Sequence, residues 1–255
     1  MKKFLINLVK KVGKYQLKKL DQDLITKDKP DSSIVTEVDE NSEKMLIEEI
    51  LKKFPDSKII CEESGLINED KTGLTWIIDP LDGTTNYSHR LPVFAVSVGV
   101  LEKEELISGI IYNPAMNELY FAEKNKGAFL NNNRIKVSKQ DRLQGGLFGT
   151  GFYYTKDKDE LVKLFNMLIN VQKESLGVRR PGAAAIDMAW TACGRYDAYW
   201  EYGVQSWDIS AGVLLVKEAG GCVTKIDGSK IDLFGRNILA TNSILHDKLV
   251  EVLNK

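Results

Sequence analysis

The sequence of 255 residues predicts an α+β fold with two sheet-bearing halves. Three observations predict it. Helical periodicity dominates the chain up to Pro55, short alternating runs broken by turn residues dominate Leu91–Leu130, and helices alternate with strands beyond Ser138–Gln144. The change of pattern there divides the chain into residues 1–140 and 141–255, packed as one compact unit. With 43% hydrophobic residues, the chain is long enough to bury a large core.

In the opening stretch Phe4, Leu5, Leu8, Val9, Val12 and Tyr15 fall at helical spacing, with Lys2, Lys3, Lys10, Lys11, Lys14 and Lys18 elsewhere on the wheel. The apolar run is too short, and too broken by Asn7, for a signal peptide. A basic amphipathic helix either covers a core or lies on a membrane. Lys27–Ser33 reads as a polar loop or hairpin, and Ile34–Thr36 as a short extended piece. Asp39–Phe54 is a helix with Leu46, Ile47, Ile50, Leu51 and Phe54 on its apolar face, capped by Thr36 or Asp39 and ended by Pro55. Lys58–Cys61 is a strand ending in Glu62-Glu63-Ser64-Gly65. Leu66–Thr75 is a polar loop, expected to be mobile.

The strands Val93–Val100, Leu106–Tyr112, Glu118–Ala122 and Ala128–Leu130 form an antiparallel meander, with Asn131-Asn132-Asn133 as a turn. In the second half come a strand at Gly146–Thr150, a helix at Asp159–Val171, a strand at Leu176–Val178 and a helix of small residues that stops at Gly194. A strand at Tyr196–Tyr202, a helix from Trp207-Asp208 to Gly220, strands at Cys222–Ile226 and Ile238–Ala240 and a last helix from Leu245 complete the chain.

The stretch with the clearest chemistry is Trp76-Ile77-Ile78-Asp79-Pro80-Leu81-Asp82-Gly83-Thr84-Thr85-Asn86. An apolar strand ends in two acids. Pro80 cannot continue a central ladder, so a turn is expected there. Gly83 permits close approach of the backbone, and Thr84–Asn86 look like a helix start whose N–H groups point outward. Carboxylates for a cation beside N–H groups for an anion suit a hard divalent metal and a phosphate. A plain strand–turn–helix junction with Asp82 or Thr84 as cap is the structural alternative; likewise Asp39 and Asp208 are caps or ligands. Glu62-Glu63 read as a solvated turn or, because Asp79 ends the next strand, as the source of one Glu that joins the acids there as an oxygen ligand for Mg²⁺.

Composition removes other classes. Net charge is −1, so no overall electrostatic case exists for nucleic acid. With His89 and His246 as the two histidines, a histidine-rich zinc site is excluded and a Ser-His-Asp triad disfavoured. Cys61, Cys193 and Cys222 form no C-x-x-C pair, which points to a reducing, cytoplasmic setting. No apolar run reaches the ~20 residues of a membrane span.

The 76–86 stretch strongly resembles the first signature of the inositol monophosphatase family. Trp207-Asp208-Ile209-Ser210-Ala211-Gly212, running on to Glu218-Ala219-Gly220-Gly221, resembles the second. Glu62-Glu63-Ser64, Val35-Thr36-Glu37-Val38-Asp39 and Gly182-Ala183-Ala184-Ala185 match in order. The resemblance implies a layered αβαβα sandwich and a Mg²⁺-dependent phosphomonoesterase. It implies one Mg²⁺ on Glu62, Asp79 and the Leu81 carbonyl, a second on Asp79, Asp82 and Asp208, and room for a weaker third near Glu62. Catalysis would fall to Asp39, Glu62 and Thr84. Substrate would meet Asp82, Gly83, Thr84, Gly182, Ala183, Ala184, Glu201 and Asp208. A homodimer and sensitivity to Li⁺ are also implied.

The substrate expected from the resemblance is an inositol monophosphate. Fructose 1,6-bisphosphate, NADP or a 3′-phosphorylated nucleotide are alternatives with the same chemistry, and Phe152-Tyr153-Tyr154 could stack a base or equally belong to the core. A regulatory partner of a transcription or ribonucleoprotein complex is the alternative from another class, with the basic first helix as its local support.

Overall fold

The structure, a computed structural model, describes residues 1–22, 25–28 and 34–255. Helix α1 (Lys2–Lys19) buries Leu5, Leu8, Val9 and Val12, the stripe its periodicity marks. That face lies on the second helix and the first sheet, so it is covered by protein and not by lipid. Strands β1 (Thr26–Asp28) and β2 (Ile34–Thr36) pair antiparallel. Of the polar stretch 27–33, residues 29–33 lie outside the described residues. Helix α2 (Glu37–Lys53) starts with a capping box, in which the Thr36 hydroxyl accepts from the Val38 amide and Asp39 accepts from the Thr36 amide.

There follow β3 (Lys58–Cys61), β4 (Gly65–Ile67), β5 (Thr75–Asp82), the short helix α3 (Thr84–Ser88), β6 (Ala95–Glu102), β7 (Glu105–Asn113), β8 (Glu118–Glu123), β9 (Gly127–Leu130) and β10 (Asn133–Ile135). These strands form a sheet in the order β10-β9-β8-β7-β6-β5-β3-β4, antiparallel except for the β3–β5 pair. The meander is as expected. Strands β4 and β10 are additions, each three residues long at a sheet edge. Their short, half-exposed segments carry too little apolar alternation to announce a strand.

The second half supplies β11 (Leu147–Thr150), α4 (Lys158–Glu174), β12 (Gly177–Arg179), α5 (Ala184–Ala192), β13 (Ala198–Tyr202), α6 (Ser206–Glu218), β14 (Cys222–Thr224), β15 (Asn237–Thr241) and α7 (His246–Leu253). The sheet order is β12-β11-β13-β15-β14. Helices α1 and α2 cover the outer face of the first sheet, α5 and α6 fill the space between the sheets, and α4 and α7 cover the outer face of the second. The result is an αβαβα sandwich. Its middle layer is buried on both sides, which is why α5 and α6 are apolar nearly all round.

The middle layer comes very close to the first sheet. A Cβ on Gly109 of β7 would stand 2.8 Å from the Ala211 carbonyl oxygen and 3.0 Å from its Cα. Helix backbone cannot rotate away as a side chain can. Gly109→Ala is therefore expected to cost about 1–3 kcal/mol in urea unfolding, and an unchanged midpoint would contradict this packing.

Candidate active site

The site begins at an irregularity in β5. Contrary to the expected turn at Pro80, the strand runs on to Asp82, but its register against β6 shifts between Asp79 and Asp82. Asp79 pairs with Ser97 and Asp82 with Ala95, so three steps on β5 match two on β6. A bulge absorbs the extra residue and re-aims the side chains beyond it, which is how a proline is accommodated there. The Pro80 carbonyl takes a 2.8 Å hydrogen bond from Gln16 Nε2 of α1, and Asp79 Oδ1 takes one of 3.0 Å from the Leu81 amide.

Gly83 then turns the chain with φ +86° into α3. A Cβ there would lie 2.8 Å from the Val93 carbonyl oxygen, so glycine is required for conformation and for space. The turn carries the Thr84 hydroxyl to Asp39 Oδ1 at 2.7 Å and to the Leu81 carbonyl at 3.1 Å. The other oxygen of Asp39 receives the Thr36 hydroxyl at 2.5 Å and amide at 2.9 Å. Asp39 is thus part of the α2 cap and also the partner of Thr84. Burial pushes its carboxyl up, and the bonds from Thr36 and Thr84 pull it partly back.

Asp82 reaches into the middle layer. Its two oxygens accept from the amides of Ala184 at 3.2 Å and Ala185 at 2.8 Å, capping α5 from more than a hundred residues away in sequence. Asn86 Nδ2 bonds the carbonyls of Val93 at 2.7 Å and Pro181 at 2.8 Å, tying the first motif to the loop before α5. Asp208 occupies the third position of α6 and accepts from the Gln205 amide at 2.7 Å in a second capping box. Glu43 of α2 holds the turn after β3 by accepting from the amides of Glu63 and Ser64, both at 2.9 Å, which positions Glu62. On β13, Glu201 accepts from the Tyr199 hydroxyl at 2.5 Å.

These acids face one another. Burial pushes Asp79 well above the ordinary carboxylate range, and Glu62, Asp82 and Asp208 push it further. Burial does the same to Asp208, aided by Glu62, Asp82 and Glu201. Asp82 rises to about 7 through burial, with Glu201 and Glu62 adding to it and the two α5 amides opposing. Glu201 also rises to about 7 through burial, opposed by the Tyr199 hydroxyl and by the positive charge of Arg180. Among the described residues no group of three or more His, Cys, Asp or Glu side chains is drawn together closely enough to hold a metal ion. The donors are instead an open, all-oxygen set of mutually repelling carboxylates. That chemistry fits Mg²⁺, which keeps water and substrate oxygens in its octahedron.

The cleft above them has a volume of about 410 Å³. Of the residues marked in the sequence, Glu62, Asp82, Gly83, Thr84, Gly182, Ala183, Ala184, Glu201 and Asp208 line it. Asp39, Asp79 and Leu81 are buried behind its wall. Sequence reasoning passed over the positioning roles of Gln16, Glu43 and Asn86 and the cleft-lining Arg180 and Arg236. Asn86 lay inside the motif and carried a signal; the partners of Gln16 and Glu43 are set by tertiary packing alone.

A sandwich of this layering, with acids from both halves converging beside a glycine-turned helix start, defines a class of phosphate-ester site. The chain belongs to the inositol monophosphatase family, whose family model matches residues 1–255. It is 43% identical to an inositol-1-monophosphatase of Synechocystis, across 86% of this chain and 76% of that one. It is 36% identical to a fructose-1,6-bisphosphatase/inositol-1-monophosphatase of Thermotoga maritima, across 99% and 95%. The crystal structure of an extragenic suppressor protein suhB from Bartonella henselae superposes with TM-score 0.95 at 36% identity, across 99% and 98%.

Proposed function

We propose that this protein is a Mg²⁺-dependent phosphomonoesterase that hydrolyses inositol monophosphate to inositol and phosphate. The observation that carries this reading is the facing of Asp79, Asp82, Asp208 and Glu62, from three separate elements, beside the Thr84–Asp39 pair. Glu62, Asp79 and the Leu81 carbonyl would hold one ion, and Asp79, Asp82 and Asp208 a second, with a third near Glu62. When bound, Mg²⁺ supplies Lewis-acid stabilisation of the phosphoryl oxygens and acidifies water.

The protein's own groups do the rest. Gly83 and Thr84 present amides to the phosphate. Asp39 accepts the Thr84 hydroxyl proton, so a Thr84 lone pair is left toward the cleft to receive a proton from water. Asp39 is a stronger base than an exposed carboxylate because burial has raised it. Glu201, with its Tyr199 bond, and the Gly182–Ala184 turn read the hydroxyls of the polyol.

Thr84→Val is expected to lower kcat by about 10²–10³-fold while KM for inositol 1-phosphate changes less than about threefold. Loss of KM alone would remove Thr84 from proton transfer. A phosphate-release panel with and without Mg²⁺, containing inositol 1-phosphate, fructose 1,6-bisphosphate, NADP and a 3′-phosphorylated nucleotide, tests the substrate assignment. The protein would act as a homodimer, with the exposed apolar residues Val162, Phe165 and Ile169 of α4 as a face to cover, and light scattering reads its mass. Its unpaired thiols fit the cytoplasm, and no helix among the described residues is long and apolar enough to cross a membrane. Li⁺ would inhibit by competing for a Mg²⁺ position.

A further inference from the structure

Residues 151–157 leave β11 and pass along the mouth of the cleft. Phe152, Tyr153 and Tyr154 line that cleft in succession. Their surroundings differ. The Phe152 ring stacks on Phe165 of α4, with centroids 5.4 Å apart and planes at 22°, and Arg180 Nη2 donates to its carbonyl at 3.4 Å. Tyr153 lies over Gly203, where a Cβ would meet the Tyr153 Cβ at 2.3 Å and its ring at 2.4 Å. Both aromatics help to fasten the loop to the second half of the chain, and both stay half-buried at the cleft wall.

Tyr154 is different. Its side chain is 53% exposed, and its hydroxyl stands 3.1 Å from the Thr85 hydroxyl. Thr85 follows Thr84 on α3, in the first half of the chain, and also lines the cleft. The contact therefore joins the fastened loop of the second layer to the helix that carries the catalytic threonine. A hydrogen bond between two exposed hydroxyls is weak enough to open and close during turnover.

We propose that the Tyr154–Thr85 contact is a clasp across the mouth of the cleft and that Tyr154 is a specificity-determining residue, restricting the site to phosphates of compact, ring-sized polyols. This rests on the phosphatase reading above. A single-ring polyol phosphate fits beneath the closed clasp. A nucleoside monophosphate adds a base, for which Tyr154 and its bond to Thr85 narrow the mouth of the cleft.

The experiment uses the full chain with Mg²⁺ and compares inositol 1-phosphate with adenosine 2′-monophosphate. Tyr154→Ala is expected to raise the ratio of kcat/KM for the nucleotide over the polyol by about tenfold or more. Tyr154→Phe and Thr85→Val are each expected to raise KM for inositol 1-phosphate about three- to tenfold, with a smaller change in kcat. The double variant should be no worse than the poorer single one, because both remove the same bond. Hydrogen exchange of amides 151–157 should quicken about fivefold in either single variant. An unchanged substrate ratio in Tyr154→Ala, additive losses in the double variant, or unaltered exchange would each overturn the clasp. If the unsubstituted protein turned over neither ester, the phosphatase reading would fall with the specificity role built on it, while exchange would still report whether Tyr154 and Thr85 hold the loop.

Discussion

Asp79→Asn is expected to lower kcat/KM by about 10³-fold or more and, in the absence of metal, to raise the melting temperature. Both effects arise from one arrangement. Asp79 is buried, and its charge is opposed by burial and by three other acids. A neutral isostere relieves that repulsion and keeps an oxygen for the Leu81 amide, which bonds Oδ1 at 3.0 Å. It gives up the charge that two cations would share. Asp82→Asn is a less clean test, because both Asp82 oxygens already accept from α5 amides and an NH₂ group would face an N–H. Activity assays and thermal melts on the same Asp79→Asn preparation check the pair of effects. Retention of more than a tenth of kcat/KM would sink the assignment of Asp79 as a shared ligand.

The metal-free protein is expected to lose stability as pH rises from 5 to 7.5. Asp82 and Glu201 stand at about 7 when folded, against ordinary values of 3.8 and 4.5. Groups raised by folding hold their protons more tightly in the native state. Their contribution is therefore complete below the unfolded pKa and drains away as pH climbs to the folded pKa. A fall in melting temperature of roughly 5–10 °C across this window is the expected scale for a chain of this length. Mg²⁺ at saturating concentration should restore most of it at pH 7.5 and little at pH 5, where the acids hold protons that the cation must displace. Calorimetric melts in chelator and in Mg²⁺ at both pH values decide this. A flat metal-free profile, or an equal Mg²⁺ shift at both pH values, would show that these carboxylates are not the cation's partners.

Much of the architecture could be read from local pattern, because periodicity reports which face of an element is buried. The helix of Leu46 and Ile50 and the meander from Val93 to Leu130 are cases where burial is one-sided or complete over many residues. What escaped was set by distant partners. The strand ending at Asp82 continues past Pro80 because a bulge and the Gln16 side chain accommodate it, and neither is visible within a local window. Edge strands β4 and β10 owe their existence to the neighbours they pair with. At the site, the acids were identifiable by type and by motif. The caps completed by Asp39 and Asp208 were legible too, as alternatives to ligation, but the cap that Asp82 gives α5 from across the molecule was not. Weighing cap against ligand as alternatives missed that one carboxylate has enough lone pairs for both.

That third cap limits how the molecule can be divided. Helix α5 borrows its N-terminal acceptor from a residue in the other half of the chain, and Asp82 takes its orientation from amides it meets only after α5 is in place. A polypeptide severed between Ile135 and Leu147 would separate each member of this pair from the other, leaving one fragment with a misdirected acid and the other with an open helix end. Neither piece would carry a working remnant of the site, and function would return only on reassembly of the two.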